Sequence, residues 1–287
     1  MKRCLTLAAL PVACLAVPAF AQEEEGMTTK IYANADYFTD PYADTFTLEG
    51  GAEWDGKVNI KAGGFYQNVD NGREDVVGGV VNFATTLDNG LKLRARALGT
   101  NQGLHGLVGV RKNGPISVEA QCDHDYVATA LAIRKGIDST GCSLSVETPD
   151  NKPVWAAVTA DIHGFSDDNR RTMIALATRF KLDEHFTIAH RSRRLDFKKR
   201  VPEYFSPDKW DRHQVTLQYE GKYDRGTYRL EAGPGIDRID HKTTSFGVVG
   251  AAVYYDYGKT SMFGRAVHQF GSAYHFTQVT VGISIPL

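Results

Sequence analysis

Apolar and polar side chains alternate along nearly the whole chain from about Thr29 to Leu287, and that period of two is the strongest constraint on the fold. Between Leu91 and Leu98, Leu91, Leu93, Ala95 and Ala97 share one face, while Lys92, Arg94 and Arg96 share the other. A helix would scatter those three cations around its circumference; a strand gathers them on one side. The same division separates Val215, Leu217 and Tyr219 from Thr216, Gln218 and Glu220. It recurs for Tyr228, Leu230 and Ala232 against Arg229 and Glu231, and for Val279, Val281, Ile283 and Ile285 near the chain end. Between the runs lie tight-reversal sequences: Asp55-Gly56, Asn71-Gly72, Asn89-Gly90, Asn113-Gly114, Asp150-Asn151, Asp168-Asn169 and Tyr257-Gly258. Alternation punctuated in this way predicts an antiparallel meander of hairpins.

Alternation alone fits either a soluble sandwich or a barrel in lipid. Three features favour the barrel. Many runs reach ten residues or more, the length a tilted strand needs to cross a bilayer. Glycine is plentiful, 28 residues, within strands as well as turns. The last run reaches the chain end at Pro286 and Leu287, although an aromatic residue is the more usual finish. Closure answers the physical problem, because an open sheet edge in lipid leaves N–H and C=O groups unpaired at several kcal/mol each. The expected fold is therefore all-β: a transmembrane antiparallel up-and-down β-barrel over 29–287. Seventeen runs can be drawn, including one over 126–134. Single-chain bacterial barrels use an even number of strands. Sixteen is expected, with fourteen as the fallback, and the surplus run is expected among the short ones between 91 and 148.

The first residues fit a secretory signal. Lys2 and Arg3 precede an apolar run from Leu5 to Phe20, and Ala19-Phe20-Ala21 has the small-x-small cleavage pattern. The expected division is a cleaved signal peptide at 1–21, a short periplasmic segment at 22–28 and the barrel beyond. No later stretch is long and apolar enough for a helical span, so the expected location is the outer membrane, with lipid as the surrounding partner. Removing Lys2 and Arg3 leaves 31 basic against 34 acidic residues, which argues against a nucleic-acid partner. No phosphate-binding glycine loop or zinc spacing is present, so no cofactor or metal is expected. Cys122 and Cys142 fall on nearby runs in an exported chain. A disulfide and two free thiols both remain open.

Three short segments carry a resemblance. Tyr204-Phe205-Ser206-Pro207 precedes a run starting at Trp210; Asp125-Tyr126-Val127-Ala128-Thr129 precedes Ala132-Ile133-Arg134-Lys135-Gly136-Ile137; and Phe165-Ser166-Asp167-Asp168-Asn169 ends in Arg170 and Arg171. Together they resemble the porin domains of bacterial exopolysaccharide export proteins, the cellulose and poly-N-acetylglucosamine secretion type. The resemblance covers about 118–221 and implies a sixteen-stranded conduit for a growing polysaccharide. Such proteins usually carry a periplasmic arm of tetratricopeptide repeats. With only 22–28 ahead of the first run, either that arm comes from a separate protein or this chain does a different job.

If the apolar rows face lipid, the opposite rows line a lumen. Arg or Lys on the lipid side costs about 2–4 kcal/mol at the midplane. The lumen candidates are Lys92, Arg94, Arg96, Arg179, Arg191, Arg193, Arg229, Glu231, Arg238 and Arg265. Glu119, Asp123, His124 and Asp125 suggest either a cation site or a polar hairpin end. Trp54, Trp155, Trp210, Tyr254 and Tyr255 are candidates for interfacial girdles, and Tyr66 and Tyr223 for stacking on sugars. His163 with Ser166, or His190 with Ser192, supplies hydrolase residue types without a recognisable signature. The expectation is a porin, not an enzyme, with loop 198–208 narrowing the lumen. A structural or adhesive barrel is the alternative, and a lipid hydrolase a more remote one.

Overall fold

In the computed structural model, residues 28–70, 73–150, 152–258, 260–271 and 274–287 are described. The proposed signal peptide, most of segment 22–28, Asn71-Gly72 and Asn151 lie outside them. Sixteen strands form one closed antiparallel barrel in which each pairs with its sequence neighbour. The first eight are β1 (Thr28–Thr39), β2 (Asp44–Asp55), β3 (Val58–Val69), β4 (Glu74–Thr86), β5 (Leu91–Thr100), β6 (Gly103–Lys112), β7 (Ser117–Tyr126) and β8 (Asp138–Glu147). The rest are β9 (Val154–Phe165), β10 (Arg170–Lys181), β11 (Phe186–Phe197), β12 (Lys209–Tyr223), β13 (Gly226–Ile239), β14 (Lys242–Tyr257), β15 (Thr260–Phe270) and β16 (Phe276–Pro286). β1 closes on β16 in register from Lys30↔Pro286 to Thr39↔Thr277, so the sheet has no free edge.

The seventeenth run is a helix. Residues 126–134 alternate like a strand, but Ala130–Arg134 form α1, the one helix among the described residues. Thr129 caps it: its backbone is extended and its side chain accepts from the Ala132 N–H. The sequence Ala-Leu-Ala-Ile-Arg favours helix, and Gly136, at φ +62°, ends it. No helix among the described residues is long and apolar enough to cross a membrane.

Alternation now acquires direction. Leu104 (73% exposed), Val108, Ile174 and Ile236 project outward, as do Leu144, Val158, Leu217, Leu230, Val249 and Val281. An apolar belt around all sides of a barrel is far larger than water tolerates on a monomer; it suits lipid. Near the rim bearing the chain ends, Tyr219, Tyr223, Tyr228 and Tyr255 touch one another on the outer surface, at centroid distances of 5.9 to 6.4 Å. This is the amphipathic girdle expected at an interface. Cys122 and Cys142, directly paired across β7 and β8, are disulfide-bonded on the face carrying Ala120 and Leu144.

β4 departs from the simple pattern, because both its faces are apolar. Val77 and Val81 point outward, while Val76 and Val80 are buried inside. The inner pair packs with Phe65, Val69 and Leu98 against Ala130 and Ile133 of α1. The helix has folded into the barrel at the rim opposite the chain ends, the far rim. Glycine lets β2 and β3 curve tightly below it: a Cβ at Gly51 would lie 2.0 Å from the Ala62 carbonyl oxygen.

Candidate functional site: the lumen and its far-rim throat

Two segments fill the far rim, α1 and loop 198–208, and they are joined. Thr129 Oγ1 donates to the Glu203 carbonyl oxygen, and Lys135 forms an ion pair with the Glu203 carboxylate. The Ala130 N–H donates to Asp70 Oδ2 at 3.0 Å, and Arg134 pairs with Glu74. The motif Tyr204-Phe205-Ser206-Pro207 holds the loop down. The Tyr204 ring stacks on Phe165 with centroids 4.9 Å apart. Its hydroxyl donates to Asp167 at 3.1 Å and accepts from Asn169 Nδ2 at 3.0 Å. Ser206 Oγ accepts from the Val201 N–H and donates to the Val201 carbonyl, closing a compact turn. Phe205 lies against Trp210, Tyr274 and Tyr42. Burial raises the Tyr204 and Tyr274 phenols above their ordinary range, and Asp40 adds to it for Tyr274. The Lys135 ammonium holds the Glu203 carboxyl below the usual carboxylate range, and Lys198 does the same for Asp168.

Beneath the throat sits a buried charge pair. Arg212 Nε and Nη2 donate to the two Asp237 oxygens at 2.7 and 2.8 Å, and Trp210 Nε1 donates to the same carboxylate at 2.9 Å. Arg193 stacks on the Trp210 ring, 4.4 Å from its centroid.

The predicted basic row of β5 shares the face of buried Leu98. Arg96 pairs with Glu49 at 2.9 Å, and Arg94 with Glu119 and Gln121; Lys92 continues that face toward the near rim. Arg179 reaches Asp150 at 3.0 Å and lies over Trp155. Arg191 pairs with Glu231 at 3.2 Å, and Arg229 with Glu220 at 2.9 Å. Arg265 borders an inner cavity. Arg238 is the exception: it continues the outward face of Leu230 and Ile236, while Asp237 beside it points inward to Arg212. Parity along β13 carries that signal.

Other candidates also move. Trp155 and Trp210 sit on inward positions rather than in a girdle, and Tyr66 and Tyr223 sit on outward ones, away from any sugar in the lumen. Tyr66 bonds Asp75 on that outer side. Glu119, Asp123 and Asp125 belong to β7 itself, with Glu119 taken up by Arg94 and Arg111. No metal-binding cluster occurs among the described residues. His163 approaches Asp123 at 3.8 Å, whereas Ser166 is tied to the backbone of Gly136 and Asp138. His190 and Ser192 lie on the outward side of β11. Neither His–Ser pair is assembled as a nucleophile and base. Asp36, His105 and Arg212, all on the inner face, escaped the reading of the sequence because each stands singly in its run.

Two cavities open inside the barrel. One, about 370 Å³, lies against β1–β3 and β5–β7; the other, about 570 Å³, lies against β9–β16 and Phe38 of β1. No family model matches the chain, and no curated protein does. Solved structures do. A bacterial polysaccharide outer membrane secretin superposes with a TM-score of 0.75 at 13% identity, over 91% of this chain and 98% of its own. The fold is that of an outer-membrane porin barrel. Pseudomonas aeruginosa OprD is more distant, with a TM-score of 0.51 at 11% identity over 92% of this chain and 95% of its own.

Proposed function

We propose that this porin-type barrel lies in the outer membrane and conducts a polysaccharide from the periplasm to the cell surface. Chain ends of single-chain barrels face the periplasm, so the far rim, with α1 and loop 198–208, is extracellular. The observation that carries the reading is the wall itself. Inside an apolar belt, Arg94, Arg96, Arg111 and Arg191 are each held by a carboxylate, and Gln67, Gln214 and Gln278 stand among them at the cavities. Such a wall offers hydroxyl groups many hydrogen-bond partners and little net charge. The likeness of the whole barrel to a polysaccharide secretin supports the same cargo. A separate periplasmic tetratricopeptide-repeat protein would deliver the chain to the near rim.

The closely packed throat favours a resting state that is shut. Planar-bilayer recordings on the purified barrel test both points. Small or rare openings are expected for the intact protein, with a large steady conductance once loop 198–208 is shortened. A barrel that stays silent after that deletion refutes the conduit and leaves a structural or adhesive role.

A further inference from the structure

Cys122 and Cys142 are the only cysteines after residue 21, and they are bonded to each other across β7 and β8. Their row on the barrel is apolar: Val108 of β6 pairs with Cys122, and Ile162 of β9 pairs with Cys142. Toward the near rim the same outward face carries Ala120 and Leu144, then Val118 and Val146. Toward the far rim it carries His124 and Thr140, which bond each other at 2.7 Å. The polar wall is one residue away on each strand. Gln121 and Ser143, directly paired, point inward, and Gln121 is bound by Arg94. The disulfide is therefore set in the belt that faces lipid and not in the lumen.

That position constrains when the bond can be made. Thiol–disulfide exchange starts from a thiolate, which attacks a sulfur of the oxidant. Hydrocarbon opposes both reactants, because an anion is costly there and so are the polar groups of a protein or peptide oxidant. Water supports the reaction as soon as β7 and β8 lie side by side. The bond joins residues 20 apart in sequence and encloses α1 between them.

We infer that the β7–α1–β8 hairpin is paired and oxidised in water before it enters the membrane, so that disulfide formation precedes insertion of the barrel. The reaction that comes first is an exchange with an oxidised dithiol protein or a small disulfide of the exporting compartment. One cysteine thiolate attacks the oxidant, forming a mixed disulfide and releasing the first oxidant sulfur. The second cysteine thiolate attacks the sulfur of the first, forming the Cys122–Cys142 bond and releasing the second oxidant sulfur. The two protein thiols lose two electrons and two protons; the oxidant's disulfide gains both and leaves as two thiols. Insertion then carries the bond into lipid, out of easy reach of reductants in water. The hairpin that bears the far-rim helix is thus closed covalently before the strands around it assemble. The inference rests on the membrane reading of the apolar belt and not on what the lumen conducts.

The test measures exchange on the full barrel refolded into phospholipid vesicles and on the same chain unfolded in urea. Glutathione disulfide is the oxidant and dithiothreitol the reductant; free thiols are counted by the gel shift of a maleimide-linked polyethylene glycol. The reduced cysteines are expected to bond readily in urea and at least about tenfold more slowly once the reduced barrel is inserted, because lipid suppresses the attacking thiolate. Reduction of the inserted, oxidised barrel should slow likewise. Gln121→Cys in a Cys122→Ser/Cys142→Ser background is the control. This thiol, one residue away on the lumen side, should form its mixed disulfide with glutathione at least about tenfold faster than either lipid-facing cysteine reacts in the inserted barrel. Lipid-facing cysteines that exchange as fast as Gln121→Cys overturn the inference. A Gln121→Cys thiol as unreactive as they are also overturns it, since pairing of the sheet rather than lipid would then protect the bond. Insertion is read separately from the heat-dependent shift of the folded band, and a chain that never enters vesicles refutes the membrane reading and this inference with it. In cells, pulse-labelled chain should become oxidised before it gains the mobility of the folded band. Folded chain that is still reduced, and is oxidised only later, refutes the order.

Discussion

Replacing Tyr204 by alanine tests whether the throat is a latch. The ring is 4% exposed and stacked on Phe165, and removing a buried aromatic side chain of this size costs about 3–5 kcal/mol. That loss falls on loop 198–208, because the strands beneath keep their own ladder. Each 1.4 kcal/mol is about a tenfold change in an equilibrium, so the open population of the loop should rise by a factor of about 10² to 4 × 10³. Tyr204→Phe keeps the stack and loses only the bonds to Asp167 and Asn169, about 1 kcal/mol and a change of several-fold. Lys198, Lys199 and Arg200 place tryptic sites inside the loop. When reclosing outruns cutting, cleavage tracks the open population, so the folded barrel in detergent should be nicked faster in Tyr204→Ala by that same factor, about 10² to 4 × 10³. Its openings in bilayers should become more frequent at unchanged single-channel amplitude, since Tyr204 does not border either inner cavity. Cleavage at the wild-type rate would show that the loop is held by something other than this ring.

Three further outcomes rest on the same geometry. Arg212→Met leaves the fully buried Asp237 carboxylate without its guanidinium and should cost about 3–5 kcal/mol in urea titrations of the folded band. Arg212→Met with Asp237→Leu should cost clearly less, because the buried carboxylate is removed together with its guanidinium. Val158→Arg, midway along β9 on the lipid side, should cost about 2–4 kcal/mol, whereas Thr159→Arg on the inner side should not. Glu203 and Asp168 have folded-state carboxyls below their ordinary range. Their stabilisation is therefore complete above the unfolded value of about 4 and is lost as pH falls through the lower folded value. The protection of loop 198–208 against hydrogen exchange, measured relative to the intrinsic exchange rate at each pH, should hold steady near neutral pH and fall below about pH 4, with Glu203→Gln less protected already at neutral pH.

What was legible in the sequence was whatever period two controls. The closed sheet, the sixteen strands and the face of Arg94 and Arg96 follow from alternation plus the cost of an unpaired edge. What stayed hidden was whatever overrides that period. Ala128, Ala130 and Ala132 alternate with the larger Val127, Thr129, Leu131 and Ile133 and imitate a strand. Only the Thr129 cap and Gly136 distinguish the helix, and both also read as turn residues. Val76 and Val80 made β4 apolar on both faces, which hinted at an internal partner without saying which segment supplies it. Arg238 was misplaced because charge was weighed ahead of parity: counting from Leu230 puts Asp237 inside and Arg238 outside. Tyr66 and Tyr223 were offered to a sugar on ring type alone, although their parity faces them outward.

The pairing of charges along the wall bears on how a polymer could move through it. A free arginine at every level would bind a polar chain at every level, and each step would then require breaking a charge-assisted contact of about 1.5–3 kcal/mol. Here Arg111 is shared by Glu119 and Glu147, Arg94 is bound to Glu119, and Arg229 to Glu220. These cations are already satisfied within the wall. A passing hydroxyl can borrow a hydrogen bond from such a pair and return it at little net change, so the wall is polar without being adhesive.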